Sequence, residues 1–211
     1  DSTPMSRLLQ GDVGSGKTII AIASILIVLE KDQQGALMVP TEVLATQHYK
    51  NLLKFLNPLF VSVELLTGNT PQKKRKEILM NLKNGMVDIL VGTHALFEDK
   101  VIFNSLGMVV IDEQHRFGVT QRNRLLNKGD NTNLLSMTAT PIPRTLALSL
   151  YGDLDISQIT ELPPGRIPIT TKIISEDELG GLFENVKNEI KKGKQAYVIL
   201  PLIEDSEKMN L

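Results

Sequence analysis

The octapeptide at residues 11–18, GDVGSGKT, constrains what this chain can fold into more than any other feature. It fits G-x-x-x-x-G-K-[ST], a loop that wraps phosphate oxygens in backbone N–H groups. Gly11, Gly14 and Gly16 let the backbone turn tightly and approach an anion at places where a Cβ would be in the way. Asp12, Val13 and Ser15 complete the loop. Lys17 supplies a point charge for β- and γ-phosphates, and the Thr18 hydroxyl is placed to ligate Mg²⁺. A helix expected from about Lys17 to Glu30 aims its positive N-terminus at the same phosphates. The mechanism needs a strand before the loop and a helix after it. A short apolar segment, Arg7 to Leu9, and the apolar run Ile19–Leu29 supply both. The run is too short to span a bilayer and reads as a buried helix.

From there apolar runs alternate with helical patterns. Strands are expected at Arg7–Gln10, Ala36–Val39, Val61–Leu66, Ile89–Val91, Met108–Ile111 and Leu134–Met137. Helices are expected at Lys17–Glu30, Glu42–Phe55, Pro71–Lys83, Gln121–Asn127 and Pro143–Leu150, with Pro71 in a tolerated first-turn position. Strands apolar on both faces, alternating with helices, imply an α/β fold: a mainly parallel sheet covered by helices on both faces. Ligands of such sheets bind outside the carboxyl ends of the strands. Gly11, Pro40, Gly92, Asp112 and Thr138 directly follow strand candidates, so chemistry is expected there. Residues 161–168 (ELPPGRIP) read as a linker. Beyond it, a strand at Ile169–Ile174, a helix at Glu176–Lys192 and a strand at Ala196–Leu200 read as the βαβ opening of a second, incomplete domain. The expected boundaries are 1–160, 161–168 and 169–211.

A second motif gives the loop a reaction. Residues 108–115 (MVVIDEQH) form an apolar strand ending in two carboxylates. A triphosphatase needs an acidic group at such a strand end to hold Mg²⁺ and another to orient or deprotonate the attacking water. Asp112 suits the first role and Glu113 the second.

Composition narrows the rest. The 211 residues are 42% hydrophobic and 22% charged, as in a globular protein. With 23 basic and 24 acidic residues, global charge gives no sign of nucleic-acid binding, and any such surface must be local. The run Lys73–Lys76 is a helical charge cluster, and most such runs are solvated faces. No cysteine is present, which excludes disulfides and thiolate metal sites and fits a reducing cytoplasm. No signal peptide or membrane span is read, so no membrane partner is expected.

Three strings together carry a family resemblance: GDVGSGKT, the tetrad Asp112-Glu113-Gln114-His115, and residues 136–144 (SMTATPIPR). They resemble superfamily-two helicases with RecA-like lobes, and within them the RecG family of bacterial ATP-dependent helicases that remodel branched DNA. The match extends over Leu8–Thr18, Pro40–His48, Gly92–Leu96, Asp112–Arg122 and Met137–Leu148, with Val43 where the family usually has Ile. The resemblance implies ATP and Mg²⁺ as ligands and branched or single-stranded DNA as partner. It also implies roles. Gly14, Gly16, Lys17 and Thr18 bind phosphate and metal. Gln114 and His115 sense the γ-phosphate and link that site to the DNA-facing side. Thr138, Ala139 and Thr140 couple nucleotide state to DNA grip. Pro40, Thr41, Gln47, Thr67, Gly68, Thr93 and His94 lie where such helicases contact the DNA backbone. His48 reads as a packing residue on its helix.

The resemblance also implies what is missing: the arginine fingers of a second lobe, the adenine-recognition segment before the phosphate loop and the wedge domain that splits forks. The expectation is a fragment that binds nucleotide without unwinding DNA alone. The alternatives are a transcription-repair coupling DNA translocase, which usually has DEEH at the tetrad, a nucleotide-dependent DNA- or partner-binding module, and a small-molecule kinase, which leaves the tetrad and the Thr-Ala-Thr segment unexplained.

Overall fold

Alternation along the strands explains the layering seen in a computed structural model, which describes residues 3–140, 154–161 and 169–199. Seven strands form one sheet: β1 (Ser6–Gly11), β2 (Gln34–Met38), β3 (Val63–Leu66), β4 (Ile89–Gly92), β5 (Leu106–Ile111), β6 (Asn133–Thr138) and β7 (Asp155–Ile159). Their order is β3-β4-β2-β5-β6-β1-β7, and every neighbouring pair is parallel. Successive side chains point to opposite faces. Leu37, Ile89, Val91, Met108, Val110, Leu135 and Met137 join one core. Ala36, Met38, Leu90, Val109, Ile111 and Leu134 join the other.

The first core is closed by α1 (Lys17–Leu29) and α2 (Glu42–Leu56), through Ala21, Ile22, Ile25, Ala45, Leu52 and Leu56. The second is closed by α3 (Gln72–Lys83) and α4 (Val119–Leu126), through Ile78, Leu82 and Leu125. Each fully buried Leu or Ile stabilises by roughly 1.5–3 kcal/mol over its exposed state. With both faces covered, the sheet opens only at its ends. Because all strands run the same way, Gly11, Pro40, Thr67, Thr93, Asp112 and Ala139 emerge at a single edge.

Several elements differ from expectation. The α1 helix is half-buried rather than buried: Ile19, Ile20 and Ile27 face outward, because a helix lying on one sheet face covers only one stripe. Pro71 is the N-cap of α3 and not its first helical residue. Helix α4 begins two residues early, at Val119, where the Gln121 carboxamide accepts the Gly118 N–H. Strand β7 was not expected. It is a sheet edge, and its residues are only partly covered, so its sequence lacks an apolar run. The helix expected at Pro143–Leu150 lies outside the described residues.

The chain divides into two units, Asp1–Arg166 and Ile167–Leu211. In the second, a 3₁₀ turn (Glu176–Glu178) leads into α5 (Leu179–Lys191). The Ser175 N–H and hydroxyl both donate to Glu178. Glu189, tied to Lys192 and Lys194, has its carboxyl lowered to about 2. The strands expected at Ile169–Ile174 and Ala196–Leu200 are not formed among the described residues. A strand exists as a hydrogen-bonded ladder, and neither segment is paired with a neighbour among the described residues. Leu179, Leu182, Phe183 and Ile190 of α5 are correspondingly exposed.

Candidate nucleotide site

The phosphate loop is set by backbone bonds and by two glycines in the left-handed region, Gly14 at φ +81° and Gly16 at φ +94°. The Ser15 N–H donates to the Asp12 carbonyl at 3.1 Å, and Asp12 Oδ1 accepts the Val13 N–H at 2.7 Å. Gly16 caps α1 with φ at +94°. An added Cβ would meet no protein atom within 4 Å there, so the requirement for glycine is conformational and not one of space. Lys17 folds back over the loop. Its Nζ donates to the carbonyls of Gly11 (2.7 Å) and Asp12 (2.8 Å). Burial lowers the Lys17 pKa, and the nearby charges of Asp112 and Glu113 partly oppose that.

One cleft of about 310 Å³ gathers groups from distant parts of the sequence. The loop contributes Val13, Gly14, Gly16, Lys17 and Thr18. Helix α2 contributes Leu44, Gln47, His48 and Asn51. The edges of β5 and β6 contribute Asp112, Glu113, Met137 and Ala139. Asp112 is gripped on both oxygens. Oδ1 accepts the Glu113 N–H at 3.0 Å, and Oδ2 lies 3.1 Å from His48 Nε2. Glu113 sits in the left-handed region at φ +51°, ψ +52°. That conformation is costly for a residue with a Cβ, and such strain clusters at functional sites.

The tetrad's third residue is buried. Gln114 is 2% exposed, and neither end of its carboxamide has a partner among the described residues. The side chain of His115 lies outside the described residues. Among the described residues, Ser15 Oγ, Thr93 Oγ1, Ser136 Oγ and His48 Nδ1 are also buried with no hydrogen-bond partner. Thr138 and Thr140 join through their hydroxyls at 2.9 Å, and the Thr140 N–H donates to Thr138 Oγ1. Ala139 between them lines the cleft.

Of the residues that the family resemblance assigns to DNA, all but Gln47 lie just beyond the ends of three neighbouring strands, and Gln47 is on α2. Thr67 and Gly68 follow β3, Thr93 and His94 follow β4, and Pro40 and Thr41 follow β2. Their side chains differ in exposure. His94, Gly68 and Thr41 are exposed, whereas Thr93 and Thr67 are buried. Thr41 also caps α2, its hydroxyl accepting the Leu44 N–H at 3.3 Å. Gln47 lines the nucleotide cleft. Two residues of the charge run on α3 are internally engaged: Arg75 pairs with Glu98 and donates to the Thr67 carbonyl, and Lys74 pairs with Glu64. A further cleft of about 410 Å³, lined by Pro40, Thr41, Leu44, Glu113, Arg116 and Phe117, adjoins the first through Leu44 and Glu113.

His48 is the residue that sequence reasoning missed. It lies on the buried stripe of α2 with Ala45, Leu52 and Leu56. A histidine inside an apolar stripe was the available signal. Nothing local says that its partner stands 64 residues away.

The sequence model for "DEAD/DEAH box helicase" matches residues 3–148. The chain belongs to that helicase family. Among members similar to it, the ATP-dependent DNA helicase RecG of Synechocystis sp. is 56% identical over 209 residues, covering 99% of this chain and 25% of that protein. RecG of Bacillus subtilis is 52% identical over 207 residues, covering 98% of this chain and 30% of that protein. The chain thus spans between a quarter and a third of the length of these helicases. A solved RecG bound to a three-way DNA junction superposes with a TM-score of 0.83 at 44% identity, covering all of this chain and 28% of that one. The helicase MrfA, solved with DNA and AMPPNP, has a TM-score of 0.66 at 18% identity over 89% of this chain and 30% of its own, a likeness of fold alone. The seven-stranded parallel sheet is accordingly the RecA-like fold of helicase motor domains.

Proposed function

We propose that this chain is the nucleotide-binding lobe of a RecG-type ATP-dependent DNA helicase, which hydrolyses ATP to unwind or remodel branched DNA such as forks and Holliday junctions. The observation that carries the reading is the meeting of Lys17, Thr18, Asp112 and Glu113 in one cleft at the carboxyl edge of the sheet.

The residues present fit a magnesium nucleotide. The cleft offers one ammonium, one hydroxyl and two carboxylates, and the buried Ser15 hydroxyl of the loop has no partner among the described residues. Among the described residues, no cluster of three or more His, Asp or Glu could hold a metal. That donor set suits Mg²⁺, which is bound through one or two carboxylates plus substrate phosphates. Thr18 and Asp112 would hold the ion, which supplies charge neutralisation at the β- and γ-phosphates. Lys17 exchanges its two loop carbonyls for phosphate oxygens, and the loop N–H groups and the α1 N-terminus take the remaining charge. Glu113 accepts the proton of the attacking water. The exposed groups following β3, β4 and β2 grip the DNA backbone, which suits an enzyme that works on any sequence.

Steady-state ATP hydrolysis with and without forked DNA tests this reading, on this chain and on one extended to the length of its RecG relatives. DNA-stimulated turnover in the longer protein, abolished by Lys17→Ala, is expected. Nucleotide binding with no response to DNA in either would leave a nucleotide-switched binding module instead.

A further inference from the structure

The metal carboxylate of this site is held by a helix that is remote in sequence. Asp112 stands at the end of β5, where its side chain could swing between the cleft and the sheet edge. Both oxygens are restrained: Oδ1 by the N–H of Glu113 at 3.0 Å, Oδ2 by His48 at 3.1 Å. A carboxylate only accepts, so His48 Nε2 carries the hydrogen and donates it. The His48 and Asp112 side chains are only 11% and 16% exposed, so little water competes for the contact. Each carboxylate oxygen can accept twice, so one bond on each leaves capacity facing the cleft. His48 is itself fixed, because α2 is anchored in the core by Ala45, Leu52 and Leu56.

We propose that His48 is a positioning residue for Asp112, orienting the carboxylate toward bound metal and tying α2 to the nucleotide site. The proposal rests on the nucleotide reading above and deepens it. Partners that orient a metal ligand typically change metal affinity 10–100-fold when removed. A residue that merely fills space would be replaced by any side chain of similar volume.

The test titrates Mg²⁺ into the chain bound to a fluorescent ATP analogue. His48→Leu keeps volume and loses the donor, whereas His48→Gln keeps a donor. Half-maximal Mg²⁺ is expected to rise by about 10-fold or more in His48→Leu, a larger change than any in metal-free nucleotide affinity. His48→Gln is expected to stay within a few-fold of wild type. On an Asp112→Ala background, His48→Leu is expected to add nothing further. An unchanged Mg²⁺ requirement in His48→Leu overturns the proposal. Equal shifts in the Leu and Gln variants, or a full extra loss on the Asp112→Ala background, do the same. Thermal melts report folding, and His48→Met replaces His48→Leu if the latter does not fold. Failure of the unsubstituted chain to bind nucleotide at all would sink the underlying reading rather than this step alone.

Discussion

Lys17 and Gln114 each carry a cost of the ligand-free fold. Burial disfavours the Lys17 ammonium, and two loop carbonyls hold it in place. The sign follows from the lowered pKa. Folding penalises the protonated form, so the penalty is present at neutral pH and fades as pH rises toward the ordinary lysine range. Lys17→Ala is therefore expected to leave the melting temperature of the ligand-free chain within about 4 °C, roughly 1 kcal/mol for a chain this size. The same variant should lose the stabilisation by saturating nucleotide, about 2.7 kcal/mol at 100-fold excess over Kd. Differential scanning calorimetry with and without Mg-ATP checks both halves. Gln114 gives the converse. Its carboxamide is buried, and neither end has a partner among the described residues; an unsatisfied buried amide costs about 1–3 kcal/mol. Gln114→Met, near in shape and free of that cost, should stabilise the ligand-free protein by about 1 kcal/mol in urea titration. Destabilisation would mean that the amide has a partner in solution. At this scale the motifs were legible because phosphate loops and strand-end carboxylates are local patterns. His48 was not, because its meaning lies in a partner on another element.

Helices α1 to α4 and strands β1 to β6 were readable from apolar periodicity, since each has at least one buried face. What escaped was set by neighbours. Strand β7 is recruited by pairing with β1, in register from Arg7↔Asp155 to Gly11↔Ile159, and is not driven by apolar content of its own. The segments at Ile169–Ile174 and 196–199 have strand-like sequences but join no ladder among the described residues. The start of α2 shows how one residue can serve an element and a site together. The family resemblance assigns Thr41 to DNA, and it is also the N-cap of α2, the helix that carries His48. Thr41→Ala should cost about 1 kcal/mol by chemical denaturation, and Thr41→Ser almost nothing. If DNA affinity of the longer protein falls with Ala and holds with Ser, the hydroxyl serves both tasks. Loss of DNA affinity with unchanged stability would instead mean that the cap contributes nothing.

Across the whole sheet the strand order separates the two sets of candidate site residues. The groups expected at DNA follow β3, β4 and β2, which are adjacent. The nucleotide groups follow β5, β6 and β1, also adjacent. The boundary falls between β2 and β5, and the His48–Asp112 contact crosses it, from the helix after β2 to the carboxylate after β5. A motor needs such a crossing, because nucleotide state must bias DNA grip through some shared element. It also needs charge to be stabilised in the transition state. Among the described residues, Lys17 is the only Lys or Arg lining the nucleotide cleft, whereas Arg116 lines the adjoining one. An arginine placed against the transferring phosphoryl group is worth about 10³–10⁵ in turnover. These 211 residues alone should therefore hydrolyse ATP at least about 10³-fold more slowly than a chain extended to the length of its RecG relatives, and DNA should accelerate only the longer one. Single-turnover phosphate release, at saturating nucleotide so that weak binding does not enter, measures the ratio. A ratio near one would mean that the cleft is catalytically complete as it stands, with Arg116 the first residue to substitute in search of the missing charge.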